Sequence, residues 1–382
     1  MGLCTGAPAY IETRKGFAII GSFCVGDRLY LDHAATTPMV PAARAAMADA
    51  WTRWANPSSP HAEGRAARAA LEDARRRIKQ ALGWSGELIF TSGATEAIAI
   101  ALRRSRADAL LVAATEHDAV HRTVPEAFFV PVQGDGIVAG HALTGRLGAL
   151  GAKNPLVAIQ SANNETGVLQ PLDTLGAIVR GKGGILFADA SQSAGKMPLP
   201  QADMIAVSAH KLGGPPGIGA LLLRDFTLIA PDGGQEQGYR GGTENLPAAL
   251  GFAAALESST AWLKRAEDLR AHLDGAIEAS GGQVVARRTP RIATIAAYRM
   301  PGMAASAQLI QFDMAGIAVS AGSACSSGTL KPSHVLAAMG WDERAAGEVI
   351  RVSFGPETNR ADVYRFVEQW QRLAREAKAR AA

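Results

Sequence analysis

Short apolar runs alternate with longer amphipathic patterns along most of this chain. The runs are four or five residues long and apolar on both faces, which is typical of strands buried in the middle of a sheet. They are Glu87–Phe90, Ala109–Ala113, Leu156–Ile159, Gly184–Phe187, Asp203–Val207 and Gly219–Leu223. Helical patterns lie between them, such as Pro171–Val179 and Glu63–Leu82, with Gly83 positioned to end the second. This alternation predicts βαβ units and an α/β fold whose large domain has a mostly parallel sheet flanked by helices.

The pattern changes near residue 262, where a helix over Trp262–Ala279 is followed by scattered strands and two terminal helices. This second pattern predicts a smaller α+β domain. We assign residues 46–261 to the large domain, 29–45 together with 262–382 to the small domain, and 1–28 to an N-terminal extension. A chain of 382 residues, at about 150 per domain, is long enough for two domains without disulfides or a structural metal.

Charge and hydropathy exclude several classes of protein. The net charge of +4 comes from 39 basic and 35 acidic residues mixed along the chain, a balance that does not favour nucleic-acid binding. No stretch is apolar enough to span a membrane, and the apolar run Phe17–Val25 lacks the cleavage site of a signal peptide. The three cysteines, Cys4, Cys24 and Cys325, form no CxxC pair, which favours a reducing compartment and a cytoplasmic location.

Polar residues that could take part in catalysis or ligand binding follow several of the predicted strands. Asp189 and Lys211 each come shortly after a strand, and the turn Thr91–Glu96 opens a helix whose free N–H groups suit a phosphate. Each feature alone is more often a solvated charge or a plain helix cap. Ligands of open α/β sheets bind beyond the carboxyl ends of the strands, however. An amine, a carboxylate and a phosphate anchor at that edge are what pyridoxal phosphate requires.

With these residues in view, the sequence resembles the cysteine desulfurases of the class V aminotransferase group, within the fold type I pyridoxal-phosphate enzymes. The resemblance extends from about Leu29 to the C-terminal helices and is closest to the subgroup with a Gly-Ser-Ala-Cys loop, here Gly322–Gly328. The motifs that carry it are Tyr30–Pro38, Asn56–Ser59 with His61, Thr91–Glu96, Thr115–His117, Asn163–Glu165, Asp189–Gln192, Ser208–Lys211, Gly241–Asn245, Ser323–Cys325 and Ile350–Ser353.

The resemblance implies that the large domain binds pyridoxal 5'-phosphate. Lys211 would hold the cofactor covalently and transfer protons, Asp189 would pair with the pyridine nitrogen, and His117 would stack on the ring and assist proton transfer. Further contacts to the ring would come from Gln192, at the phenolic oxygen, and from Asn164. The phosphate would be bound by Ala94, Thr95, Ser208, His210 and, from a second subunit, Thr243, which implies a homodimer with shared active sites.

The resemblance also implies the reaction. Arg351 would bind the carboxylate of L-cysteine, with help from Asn164. The thiolate of Cys325, in a stretch rich in glycine and serine, would attack the substrate sulfur, leaving a persulfide on Cys325 and releasing L-alanine. The persulfide sulfur would pass to an acceptor protein, an iron–sulfur scaffold or a sulfur carrier, for iron–sulfur cluster or thio-cofactor assembly. No metal site is expected.

Some positions depart from the family pattern, and other functions stay open. Related sequences usually carry an aromatic residue or a histidine, and also a lysine, where this chain has Gly213–Pro216. Ala97-Ile98 stands in place of a polar pair that contains asparagine, and Gly355-Pro356 stands in place of Gly-Arg. A class V aminotransferase or lyase acting on another amino acid, selenocysteine included, would keep Lys211 and Asp189 but need no thiol. A non-catalytic scaffold would be expected to lose Lys211, which is present.

Overall fold

The fold was analysed in a computed structural model that describes residues 10–13, 16–19, 28–322 and 332–381. Cys4, Cys24 and Cys325 lie outside these ranges. The strands are β1 (Tyr10–Thr13), β2 (Gly16–Ile19), β3 (Leu29–Tyr30), β4 (Glu87–Thr91), β5 (Ala109–Ala113), β6 (Phe128–Val130), β7 (Pro155–Ala158), β8 (Ile185–Asp189), β9 (Met204–Ser208), β10 (Gly219–Leu223), β11 (Gln283–Val284), β12 (Ile295–Arg299), β13 (Ile317–Ala318) and β14 (Val349–Ser353).

The helices lie between and after these strands. They are α1 (Pro41–Ala50), α2 (Ala62–Leu82), α3 (Ala94–Arg103), α4 (Asp118–Thr123), α5 (Gly140–Leu150), α6 (Leu172–Arg180), α7 (Leu246–Leu256), α8 (Trp262–Ala279), α9 (Ala305–Met314), α10 (His334–Ala338), α11 (Glu343–Ala346) and α12 (Arg360–Ala381). Helix α2 ends where the sequence predicts, because Gly83 adopts the left-handed conformation with φ of 64°. Among the described residues, no helix is long and apolar enough to cross a membrane.

The main sheet has the strand order β4-β10-β9-β8-β7-β5-β6 and is mostly parallel, as predicted. Strand β10 is the exception, since it pairs antiparallel with both β9 and β4. The chain between β9 and β10, residues 209–218, contains only the short 3-10 turn Ala209–Lys211. A parallel crossover needs about a dozen residues or more, usually with a helix, so the chain must turn back beside β9.

Two large apolar cores lie in different parts of the described chain. The first lies between the main sheet and the helices packed on its two faces. One face contributes Leu71, Phe90, Leu222 and Phe252, and the other contributes Ile89, Ile98, Val120 and Phe187. The second lies around β12, β14, α8 and α12, and its largest member is the fully buried Trp370. Strand β3 contributes Leu29, with Leu31 next to it, to the second core. This separation supports the predicted division into a large and a small domain, whose boundaries stay a prediction.

A close backbone contact fixes the start of α3 against the sheet. Gly219 at the start of β10 lies so near its neighbours that an added Cβ would be 2.8 Å from the Gly93 Cα and 2.5 Å from the Val207 carbonyl oxygen. Both neighbouring atoms belong to the backbone, so neither can rotate away. Only glycine at this position allows the turn before α3 to contact the end of the sheet.

We therefore expect Gly219→Ala to lower the free energy of unfolding by about 1–3 kcal/mol, the usual cost of overpacking a well-packed interior. Denaturant unfolding followed by circular dichroism measures the change. Gly148→Ala is the matched control, because Gly148 is exposed in α5 and has open space around its Cα. That change should be neutral or stabilise the helix by up to about 1 kcal/mol. Equal stabilities of the Gly219 variant and the unchanged protein would refute the packing argument.

Candidate active site

A cavity of about 520 Å³ lies at the carboxyl ends of the main-sheet strands. It is lined by ten of the residues that the sequence singles out: Ala94, Thr95, His117, Asn164, Asp189, Gln192, Ser208, His210, Lys211 and Arg351. Thr243 does not line it in this single chain and is exposed. Cys325 lies outside the described residues. The cavity thus gathers residues from five strand ends and from β14 into one space.

Lys211 and Asp189 are the charged pair nearest the sheet. Asp189 is the last residue of β8, and its Oδ1 accepts a hydrogen bond of 2.9 Å from the backbone N–H of Ser191. Lys211 ends the turn that follows β9. Burial lowers the pKa of the Lys211 amine, while the negative charge of Asp189 opposes that effect and Arg351 adds to it. A lysine with a lowered pKa is a better nucleophile near neutral pH, which covalent binding of an aldehyde requires.

The N-terminus of α3 faces the cavity through Ser92, Gly93, Ala94 and Thr95. Gly93 is the N-cap and offers no side-chain hydrogen bond to the helix. The first N–H groups of α3 therefore lack helical acceptors and, with the positive end of the helix dipole, favour an anion. His210 also lines the cavity, and burial and then the positive charges of Lys211 and Lys196 lower its pKa to about 4.

His117 connects β5 to α4 as the N-cap of that helix. Its Nδ1 accepts a hydrogen bond of 3.1 Å from the backbone N–H of Ala119, so the ring proton of the neutral imidazole is on Nε2. Burial is the main cause that lowers the pKa of His117, and the positive charge of Lys211 lowers it further. The ring is thus held neutral, in one tautomer and one orientation.

Arg351 extends into the cavity from β14, in the second core. Its Nη2 donates to Asp32 Oδ1 at 2.7 Å and its Nη1 donates to the backbone carbonyl of Asn164 at 3.0 Å. Its Nε is buried and has no hydrogen-bond partner in the part of the chain that the structure describes. Because a buried donor without an acceptor is costly, the guanidinium is prepared to bind a further acceptor such as a substrate carboxylate.

Comparison with known proteins decides the family. The sequence matches the class V aminotransferase family over residues 29–366. The chain belongs to this family. A curated cysteine desulfurase of Gluconacetobacter diazotrophicus is 37% identical over 371 residues, which cover 89% of this chain and 92% of that protein. An IscS-like cysteine desulfurase of Mycobacterium tuberculosis is 36% identical over 366 residues, covering 87% and 93% of the two chains.

A solved structure agrees with the sequence comparisons. The X-ray structure of a NifS-like protein from Rickettsia africae has a TM-score of 0.83 with this chain at 28% identity, covering 91% of this chain and 99% of that one. The predicted fold class and the resemblance to cysteine desulfurases are therefore confirmed. Class V aminotransferases use pyridoxal phosphate as their cofactor.

The residues of this class V aminotransferase fit that cofactor. The cavity provides a buried amine, a carboxylate held at a strand end and uncapped helical N–H groups, one for each functional part of pyridoxal phosphate. Gln192 adds an acceptor: its Nε2 donates to the Ala34 carbonyl at 2.9 Å, while its Oε1 is buried and has no partner among the described residues. A hydroxyl of the cofactor could donate a hydrogen bond to it.

The sequence analysis missed two carboxylates of this family site, Asp32 and Glu165. Asp32 is the ion-pair partner of Arg351. Glu165 is buried, and its Oε2 accepts a hydrogen bond of 2.6 Å from Ser333 Oγ. An added Cβ on Gly322 would lie 2.8 Å from Glu165 Cγ, so Glu165 contacts residues on both sides of the segment 323–331. Both acids lie in motifs that carry the resemblance, and membership in those motifs was the sequence signal that could have pointed to them.

We predict that the pKa of the His117 imidazole lies below the ordinary histidine value of about 6.5. Burial and the Lys211 charge both oppose its protonation, so the charged form should appear only as the pH falls below the value of an exposed histidine. Two-dimensional NMR of protein labelled with ¹⁵N in histidine measures the titration and shows which nitrogen carries the proton. The reference is the ordinary pKa of an exposed histidine, about 6.5. A His117 midpoint at or above that reference, or a proton on Nδ1, would contradict the prediction.

Proposed function

We propose that this chain is a pyridoxal-phosphate-dependent cysteine desulfurase. It would remove sulfur from L-cysteine, release L-alanine and retain the sulfur as a persulfide on Cys325. The observation that carries the proposal is the meeting of Lys211, Asp189, the α3 N-terminus and Arg351 around one cavity. Relatives named cysteine desulfurases, similar over about nine tenths of the chain, support it.

Three groups of residues would hold the cofactor. Lys211 would bind it covalently through its amine, and Asp189 would accept a hydrogen bond from the pyridine nitrogen and keep it protonated. The N–H groups of Ala94 and Thr95 with Ser208, His210 and, from a second subunit, Thr243 would bind the phosphate. His117 and Gln192 would contact the ring, and Asn164 would lie near the substrate. When bound, pyridoxal phosphate supplies an electron sink that weakens bonds at the substrate carbons.

Arg351 would orient the substrate by binding its carboxylate. The guanidinium is held by Asp32 and by the Asn164 carbonyl, so it cannot swing when substrate enters. The unpartnered Nε lets the carboxylate add a hydrogen bond without displacing either of the two existing contacts. Lys211, once released, would move protons between the substrate carbons, and the neutral His117 could donate from Nε2.

The sulfur transfer balances without an added oxidant. The Cys325 thiolate would form a bond to the substrate sulfur while the carbon–sulfur bond breaks. The electron pair of that bond would stay with the substrate carbon, which takes a proton and becomes the methyl group of alanine. Cysteine and the enzyme thiol thus give alanine and the enzyme persulfide.

The proposal extends to partners and location. Thr243 is exposed and outside the cavity of its own chain, which suits a role at the site of a second copy in a homodimer. An acceptor protein, an iron–sulfur scaffold or a sulfur carrier, would take the persulfide sulfur. A free thiol that must accept sulfur fits a reducing compartment such as the cytoplasm.

The test is replacement of Cys325 by alanine. We expect C325A to lose alanine and sulfide production from L-cysteine in the presence of a reductant, because no other thiol would accept the sulfur. Cofactor absorbance, and its change on adding cysteine, should stay, since Lys211 and Arg351 are intact. Mass spectrometry of the unchanged protein should show one added sulfur on the Cys325 peptide.

Cys4→Ala and Cys24→Ala are the matched controls, and both should keep full activity. Unchanged sulfide release by C325A would refute the role of Cys325. If the protein still transfers an amino group from an amino acid after its thiols are alkylated, the result would instead indicate the aminotransferase alternative.

We also expect Arg351→Lys to lower kcat/KM for L-cysteine by about 10- to 100-fold, mainly through a higher KM. Hydrogen bonds to a charged group contribute about 1.5–3 kcal/mol, and the lysine ammonium cannot keep the Asp32 and Asn164 contacts while binding a carboxylate. Steady-state kinetics of alanine formation measures the effect. Arg344→Lys is the control, because Arg344 is a largely exposed residue of α11. A fall in kcat with an unchanged KM would argue against carboxylate binding by Arg351.

A further inference from the structure

A second cavity lies behind the lysine of the proposed cofactor site, where the two cores meet. It has a volume of about 420 Å³ and is bordered by the end of α7, the chain leading into α8 and the residues that follow β14. We call it the junction cavity and define it by Lys196, Lys211, Leu212, Leu256, Trp262 and Pro356. Lys211 lines both this cavity and the active-site cavity, so the two spaces adjoin at that side chain.

The amine of Lys196 lines the junction cavity without a counter-ion. It makes no hydrogen bond or ion pair with any residue in the described part of the chain. Burial, followed by the positive charge of Lys211, lowers its pKa to about 7. After burial, the charge of Lys196 in turn lowers the pKa of His33 to about 4 and contributes to the lowered pKa of His210. The groups whose pKa values are coupled to the charge of Lys196 are therefore Lys211, His33 and His210, all of them bases.

The other walls of the junction cavity suit the apolar part of a small molecule. Leu212, Leu256 and Trp262 line the cavity and are each partly buried. The volume lies within the usual range of small-molecule sites, which are mostly apolar with a few polar groups that fix orientation. The carboxylate of Glu357 is exposed at the same cavity and disfavours a ligand that carries several negative charges.

Two residues without long side chains shape this cavity. Pro356 lines it with an uncharged ring. Gly213 packs on Val40, which also lines the cavity. A Cβ there would lie 2.7 Å from Val40 Cγ1. The shorter side chains leave the space open and leave Lys196 as the cation facing it together with Lys211.

We propose that the junction cavity binds a small organic monocarboxylate, whose carboxylate pairs with Lys196 and whose apolar part packs against Leu212, Leu256 and Trp262. The carboxylate supplies the counter-ion that Lys196 lacks. The apolar part excludes water from the ion pair and strengthens it. This site is separate from the substrate site at Arg351, and its occupancy does not depend on desulfurase activity.

The experiment is isothermal titration calorimetry of the full-length protein with 4-phenylbutyrate, and with the neutral 4-phenylbutyramide as the matched probe. We expect 4-phenylbutyrate to bind at least tenfold more tightly than the amide. Lys196→Met, which keeps the length of the side chain but removes the charge, should abolish that difference. Lys182→Met, at an exposed position, should leave it unchanged. Leu256→Trp should weaken both probes by filling the cavity, and thermal melting verifies that each variant folds.

The pH dependence gives an independent readout. Below pH 7 the Lys196 amine is already protonated, whereas above pH 7 binding of an anion must draw a proton onto it. Affinity for 4-phenylbutyrate should therefore fall several-fold between pH 7 and pH 8. Proton uptake should appear when buffers of different ionisation enthalpy are compared. His33 and His210 have pKa values near 4 and do not titrate in this range. Lys211 also faces the cavity and could take up a proton. If the uptake is lost in the Lys196→Met variant, the proton binds to Lys196.

Three results would overturn the proposal. The first is no binding of 4-phenylbutyrate to the unchanged protein, which would mean that another part of the chain or a second copy fills the cavity. The second is equal binding by the Lys196→Met variant. The third is binding that Arg351→Lys weakens and Lys196→Met does not, which would place the probe in the substrate site. None of these results bears on the proposed desulfurase function, which the Cys325 variant tests.

Discussion

The site depends on the parallel pairing of β7, β8 and β9, which makes the chain leave the sheet at one edge three times. Backbone hydrogen bonds set the register and place Asp189 opposite Ala206, two residues before the end of β9. Lys211 follows that end after a single short turn. The position of the carboxylate relative to the amine is therefore fixed mainly by the pairing of the strands rather than by contacts between side chains.

A single segment connects this edge to the second core. Leu31 is buried in the second core, and its carbonyl accepts a hydrogen bond from the N–H of Ser353, two residues after Arg351. Further along the same segment, the N–H of Thr37 donates to the carbonyl of His210 at 2.8 Å. The chain from residue 31 to residue 37 thus links the position of Arg351 to that of Lys211. Asp32, which pairs with Arg351, lies in the same stretch.

The local pattern of the sequence predicts most of the elements, because burial and helix capping are local properties. The apolar runs mark six of the seven strands of the main sheet to within two residues, and Trp262–Ala279 is a helix as predicted. The short edge strand β6 was not predicted. Strand direction is not encoded in an apolar run, so the reversal of β10 could be inferred only from its short connection to β9. The partnership of Asp32 with Arg351 spans 319 residues and leaves no local trace. Thr243 is predicted to bind the phosphate in the site of a second subunit, so its place in a site depends on how two chains associate.

Charge balance explains why the edge of the sheet suits anions. Arg351 has Asp32 and Lys211 has Asp189 as compensating charges. Lys196, His33 and His210 have no carboxylate partner among the residues that the structure describes, and burial keeps their pKa values low. Without a ligand these three bases can remain buried only by giving up protons, which is cheaper than burying a charge. An anion placed beside any of them reverses that balance, because the protonated form then has a partner. Phosphate near His210 and a carboxylate near Lys196 would be two instances of the same electrostatic requirement.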